Sequence, residues 1–201
     1  DDSNLLRSMI YVTQEHDVQL GLEAVQTYLE DNTGRVSRFE QKFVGTIENT
    51  VSRISRGPTE PDGPITYVQD VWVEEDVGAP GRLLQSVKTA LRDPSYEGTT
   101  IYGRFYPLEN LIALLLRQVR QQAEAQLGQP ITEVVLGRPV IFADDPEADR
   151  CAEERLRAAA QKAGFSTISF QKEPIAAALF YTRTLNEPKR ELVIDFGGGT
   201  L

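Results

Sequence analysis

The sequence predicts an α/β fold, most regular from about residue 104 onward. Three observations carry that reading. Strand-like and helix-like segments alternate from Pro107 to Phe196. The longest helical segment carries Leu108, Leu111, Ile112, Leu115, Leu116, Val119 and Ala123 as one apolar stripe. A final apolar run, residues 192–196, delivers an acid, Asp195, to the turn Gly197-Gly198-Gly199-Thr200.

Taken in order, residues 8–13 read as a strand and 21–30 as a helix with Leu22, Val25, Tyr28 and Leu29 on one side. Residues 38–51 suggest a helix, and 56–64 a connector rich in glycine and proline. Residues 66–73 alternate as a strand, 82–91 fit a helix and 99–105 another strand. Pro107 suits the start of the long helix, and Gly128-Gln129-Pro130 its end. Strands over 133–142, 165–170 and 192–196 then enclose helices over 146–163 and 174–184, which implies some parallel pairing. The composition shifts near residue 106, irregular before and regular after.

The chain has 201 residues, 40% hydrophobic and 25% charged, as in an ordinary globular protein. Its net charge of −9 argues against a nucleic-acid binder, which needs a basic face. No apolar run approaches the roughly 18 residues of a membrane span. Cys151 is the single cysteine, so no intramolecular disulfide forms and a reducing, cytoplasmic setting is expected. The chain opens on Asp1-Asp2-Ser3 and closes within the glycine turn, so it is expected to be a piece of a larger protein.

The glycine turn is the first candidate for chemistry. Without Cβ atoms, Gly197, Gly198 and Gly199 can aim backbone N–H groups at an anion, and Thr200 adds a hydroxyl. Asp195 beside them can hold a hydrated divalent metal. Phosphate plus metal makes a nucleotide the leading ligand; the plain alternative is a tight hairpin turn. The second candidate is Glu173, followed by Pro174 and the small residues Ala176-Ala177-Ala178 of a helix start. The helix N-terminus favours its charged form, although Glu-Pro also serves as an ordinary helix start. Glu173 and Asp195 fall at the carboxyl ends of two strands, the edge where open α/β sheets bind ligands. Lys88 is the third: a lysine can neutralise charge on a phosphate, or simply sit on a solvated face. His16 lies in a polar run and reads as solvated, Trp72 as strand packing, Cys151 as core filler, and Glu74-Glu75-Asp76 as a solvated loop.

Glu173-Pro174 with its alanines, then Val193-Ile194-Asp195-Phe196-Gly197-Gly198-Gly199-Thr200, resembles the ATPase domain of the 70-kDa heat-shock chaperone family. Residues 127–135, Pro139, residues 160–165, Ser86-Val87-Lys88 and the Gly21 to Tyr28 segment are similar to that family in order and spacing. The resemblance is strong from Leu127 and weak between Asp31 and Arg82. It implies the first lobe of an actin-like, ribonuclease-H-like ATPase domain: a peripheral α+β subdomain over 1–103, an α/β core over 104–190, and the start of a second lobe over 191–201.

The resemblance further implies ATP or ADP with Mg²⁺ as ligands. Asp195 and Glu173 would act on the metal through water, Gly197, Gly198, Gly199 and Thr200 would embrace the phosphates, and Lys88 would face the γ-phosphate. Pro139 would be the interlobe switch, paired with Arg150 or, as rival, Arg155. Unfolded clients and co-chaperones would engage regions beyond this chain. A first phosphate loop before Asp1 and a second lobe after Leu201 are expected, so this piece alone would bind ATP weakly and be inactive. Arg138-Pro139-Val140 departs from the family's usual Val-Pro-Ala, extra residues follow near 143–149, and Thr89-Ala90-Leu91 replaces the usual sequence after the lysine. These departures suggest a divergent branch. A filament-forming or assembly ATPase, or a small-molecule kinase of the same superfamily, is the alternative.

Overall fold

The computed structural model describes residues 7–53, 63–183, 190 and 192. Asp195 and the Gly197 to Thr200 turn lie outside the described residues. The chain is mixed α/β and forms two compact units, one of Asp1–Asp31 with Gly81–Leu201, the other of Asn32–Pro80.

In the first unit, β1 (Met9–Thr13) is the centre of a three-stranded antiparallel sheet between β2 (Val18–Leu20) and a later strand, β5 (Gly81–Gln85). Helix α1 (Gly21–Asn32) leaves β2 directly and buries Ala24. Tyr11 is wholly buried, packs edge-on against Tyr28 and donates its hydroxyl to Asp31 at 2.8 Å.

The second unit is a two-stranded ribbon of β3 (Phe39–Arg53) and β4 (Gly63–Asp76). Residues 39–51 are therefore strand, a correction to the helix expected over 38–51. Phe39, Phe43 and Thr46 belong to the aromatic and β-branched classes that suit a pleated surface, and antiparallel pairing with the next strand, β4, decided the outcome. The register slips between Phe43 and Gly45, a bulge. Trp72 lies opposite Phe43, rings 5.3 Å apart, and is half exposed.

Residues 82–91 are also not one helix. Ser86 adopts φ 52°, a left-handed conformation that ends β5, and a short 3₁₀ helix, Val87–Arg92, follows. Leu84 thus sits in a strand, whereas Leu91 is fully buried from the 3₁₀ turn. Residues 99–105 form not one strand but a hairpin, β6 (Gly98–Ile101) and β7 (Arg104–Pro107). Both turn residues have positive φ, Tyr102 at 45° and Gly103 at 82°, the geometry of a two-residue hairpin loop.

Helix α2 (Leu108–Leu127) buries Leu108, Leu111, Ile112 and Ala113 and ends at left-handed Gly128. Strand β8 (Glu133–Arg138) pairs in parallel with β9 (Thr167–Lys172), and α3 (Pro146–Lys162) makes the crossover. Asp145 caps α3, accepting from the Ala148 amide at 2.8 Å. β8 stops at Arg138, short of the expected Phe142, because Pro139 has no N–H with which to continue the ladder. Helix α4 (Glu173–Thr182) starts at the next residue after β9.

Leu91, Leu108, Ile112, Phe142, Ala152 and Leu156 form one buried cluster. A second joins Ile10 and Val12 to Ile101, Tyr106 and Leu111. The 3₁₀ turn is therefore anchored from below by Leu91, which fixes where Lys88 projects. Among the described residues no helix is long and apolar enough to cross a membrane.

Candidate active site at the carboxyl ends of two strands

β8 and β9 run in register to Arg138 opposite Lys172, so both release the chain at the same edge. Glu173 is the residue that turns the chain from β9 into α4. Lys88 arrives from the 3₁₀ turn, and its Nζ lies 2.6 Å from Glu173 Oε1. A second Lys88 hydrogen bond goes to the carbonyl of Gly137, at 2.9 Å. Residues 85 positions apart thus meet at the strand tips. Both side chains stay partly open to solvent, 42% for Lys88 and 34% for Glu173.

Gly137 makes the meeting possible. A Cβ there would stand 3.2 Å from Glu173 Cγ and 3.3 Å from its Oε1. The carboxylate rests against bare backbone. An ammonium group has three N–H donors. Two are spent on Glu173 and Gly137, and one remains for an oxyanion. Among the described residues no group of three or more His, Cys, Asp or Glu side chains is arranged around a metal. One carboxylate, Glu173, would meet a hydrated Mg²⁺ only through water, since that ion keeps most of its ligands as water and phosphate oxygens.

Pro139 leaves the tip of β8. The guanidinium that reaches its carbonyl is that of its neighbour Arg138, from Nε at 3.1 Å. Arg138 is clasped by α3: Nη2 donates to both Asp149 oxygens at 2.8 and 2.9 Å, and Nη1 pairs with Glu153. It also stacks over Phe142, 5.0 Å from the ring centre. Asp149 accepts the Phe142 amide too, and that bond together with Arg138 holds its carboxyl below the usual value. The tip of β8 is thus fastened to the first turns of α3 through Arg138 and its two acids.

Arg150 lies exposed on α3, where its partners are Glu147 and Glu154. Arg155 binds Glu109 at 2.5 Å and the carbonyl of Tyr96 at 2.8 Å, tying α3 to α2 and to the loop before β6. Of the residues singled out from the sequence, the structure brings together Lys88 and Glu173, with Pro139 two residues beyond Gly137. It does not bring Arg150 or Arg155 into contact with Pro139 through any described hydrogen bond. Gly137 escaped sequence reasoning, and Arg138 entered it only as a departure, without its acidic partners. A lone glycine in a strand pattern signals close backbone approach, and an arginine ending an apolar strand signals an acidic partner.

A profile of the family described as Hsp70 protein matches residues 83–201. The chain belongs to the Hsp70 family. Among relatives of this Hsp70 chain, "Chaperone protein DnaK 3" of Synechococcus sp. (strain ATCC 27144) is 40% identical over 103 residues, which is 51% of this chain and 15% of that relative. "Chaperone protein dnaK1" of Synechococcus elongatus is 39% identical over 103 residues, with the same coverage. "Chaperone protein DnaK" of Picrophilus torridus is 32% identical over 102 residues, 50% of this chain and 16% of that relative. The Hsp70 chain thus aligns with only about 15% of the length of these curated relatives.

Proposed function

We propose that this chain contributes a lysine and a carboxylate to the Mg-ATP site of an ATP-driven Hsp70-type chaperone. The observation that carries the reading is the 2.6 Å contact between Lys88 and Glu173 at the carboxyl ends of β8 and β9. A phosphoryl-transfer site needs a cation beside the γ-phosphate and a base or orienting carboxylate beside the attacking water. Bound ATP and Mg²⁺ supply the transferable phosphoryl group and the charge that stabilises it.

Lys88 would direct its remaining N–H toward a phosphate oxygen, and its contact holds the Glu173 carboxylate in place. Glu173 in turn orients water, either on the metal or as nucleophile. Gly137 keeps the carboxylate flush with the strand and its carbonyl steadies the ammonium group. On the family pattern Asp195 would hold the hydrated metal, and Gly197 to Thr200 would offer N–H groups to the phosphates. Pro139 is the interlobe reporter; Arg150 or Arg155 would pair with it only after leaving the acids that hold them here. The fold is the first lobe of an actin-like ATPase domain, with its α/β core over 104–190, a peripheral part over 1–103 and a second lobe starting at 191. Clients and co-chaperones bind other regions of the whole protein. The relatives carry chaperone names, which favours this reading over a filament protein or a small-molecule kinase.

The test is steady-state ATP hydrolysis by the full-length protein with Lys88→Met, Glu173→Gln and Asp195→Asn variants. Each is expected to slow turnover at least about tenfold, equivalent to ~1.4 kcal/mol of barrier. Wild-type rates in a variant would remove that residue from the mechanism.

A further inference from the structure

On the first unit, away from the Lys88–Glu173 pair in sequence and in its lining residues, α2 and the hairpin before it border a cleft of about 480 Å³. That size falls within the range of small-molecule sites, roughly 300–1,000 Å³. Its charge is the unexpected property. Arg104, Arg117 and Lys162 line it together with His16, and no carboxylate lines it, although the chain as a whole carries −9. Lys88, Arg120, Arg138, Arg150 and Arg155 each sit against an acid. The three cleft cations have no salt bridge among the described residues. The acids nearest in sequence do not line it: Glu109 holds Arg155 at 2.5 Å, with Lys162 adding a favourable field, and Glu15 and Asp17 flank His16 outside the lining.

Neutral bonds fix the cations in place. On one wall, His16 Nδ1 lies 3.1 Å from the Tyr106 hydroxyl, and the Arg104 guanidinium stands 5.3 Å from the Tyr106 ring centre. His16 is thus half buried and bonded, a correction to its reading as a solvated residue. On the other wall, Lys162 donates to Asn110 Oδ1 at 2.7 Å and Arg117 to the Lys162 carbonyl at 2.9 Å. Asn110, Ala113, Leu114 and Arg117 recur at three- and four-residue steps, so one face of α2 forms the floor. Ala113, Leu114 and Val18 make that floor apolar. Past Val18, Leu114 and Arg117 it continues into a second hollow of about 290 Å³, lined by Gln19 and Gln118 and also by one carboxylate, Glu23, so the anion's head group belongs in the first cleft. Their buried Oε1 atoms have no hydrogen-bond partner among the described residues. Buried polar atoms are rarely left unpaired, so this hollow suits a polar donor.

We propose that this cleft binds a small organic dianion, with its phosphate or paired carboxylates among Arg104, Arg117 and Lys162 and its apolar body on Leu114 and Val18. Guanidinium groups grip either head group through two N–H donors. The ligand class differs from ATP at the strand tips in both place and partner residues.

The experiment is an NMR titration of the isotope-labelled chain with phenyl phosphate and, separately, phthalate, at constant ionic strength. Amide shifts of Arg104, Arg117 and Lys162 are followed in the wild type and in Arg104→Gln, Lys162→Gln and Lys88→Gln. A saturable dissociation constant below about 1 mM is expected for at least one probe. The tighter probe identifies the head group. Arg104→Gln and Lys162→Gln, both at exposed positions, should weaken it at least about tenfold, and Lys88→Gln should leave it unchanged. Linear shifts with both probes, wild-type affinity in the two cleft variants, or loss in Lys88→Gln alone would overturn the proposal.

Discussion

Gly137 and Glu173 touch across the tip of β8: a Cβ built on the glycine would come within 3.2 Å of Glu173 Cγ. The backbone of Gly137 also accepts the Lys88 ammonium. A side chain there pushes on one member of the pair and spares the other. Gly137→Ala adds one atom to an extended strand, where alanine costs little. The expected outcome is a melting temperature close to wild type with ATP turnover reduced several-fold, and a larger loss in Gly137→Val. Equal turnover in all three proteins would show that Glu173 tolerates displacement.

Arg138 is the anchor between β8 and α3. Its side chain is only 12% exposed and meets Asp149 and Glu153. Removing the cation leaves two acids side by side and uncovers Phe142. Arg138→Ala is expected to destabilise the fold by about 2 kcal/mol, below the 3–5 typical of a fully buried pair. Arg138→Lys should recover only part, because an ammonium group cannot bridge the two acids as a planar guanidinium does. Chemical denaturation measures both.

Acid should weaken the fold through the same contact. The Phe142 amide and Arg138 hold Asp149 below its ordinary 3.8. The Ile131 amide and Arg120 hold Glu124 below its ordinary 4.5. A carboxyl with a depressed folded-state value binds its proton more readily when unfolded. Its contribution is therefore complete above the unfolded value and is lost as pH falls toward the folded one. Stability measured from pH 7 downward should hold to about 4.5 and then decline. Asp149→Asn should lower stability at neutral pH and flatten the decline.

Leu91 supports Lys88 from beneath. It is fully buried against Leu108, Ile112, Phe142 and Leu156. Leu91→Ala should cost about 2–5 kcal/mol and loosen the 3₁₀ turn. Thermal unfolding reports the first effect, and a fall in turnover at temperatures well below the transition reports the second.

The parts of the fold legible in the sequence were those with a long local signal. α2 has a stripe of seven apolar residues, a glycine stop and a proline start, and it lies where expected. The 38–51 segment failed although its partner was seen: residues 66–73 alternate as a strand, but nothing local to 38–51 shows that it pairs with 63–76 along its whole length. The 82–91 segment failed at a single residue, Ser86, whose left-handed backbone has no strong residue signature. Lys88 and Glu173 were visible only together, through resemblance. Each alone reads as an ordinary surface charge, and their contact depends on the parallel pairing of β8 with β9. The basic cleft was hidden for the same reason, since His16, Arg104 and Lys162 come from three separate elements of an acidic chain.

The central claim is that Lys88 and Glu173 act as one unit on a bound triphosphate. Single-turnover hydrolysis of radiolabelled ATP by the full-length protein tests it, with Lys88→Met, Glu173→Gln and the double variant measured alongside wild type. Groups acting as a unit are strongly non-additive. Each single variant should slow the chemical step at least about tenfold, and the double variant should be no slower than the worse single. Rates indistinguishable from wild type, or two losses that simply multiply, would contradict the account.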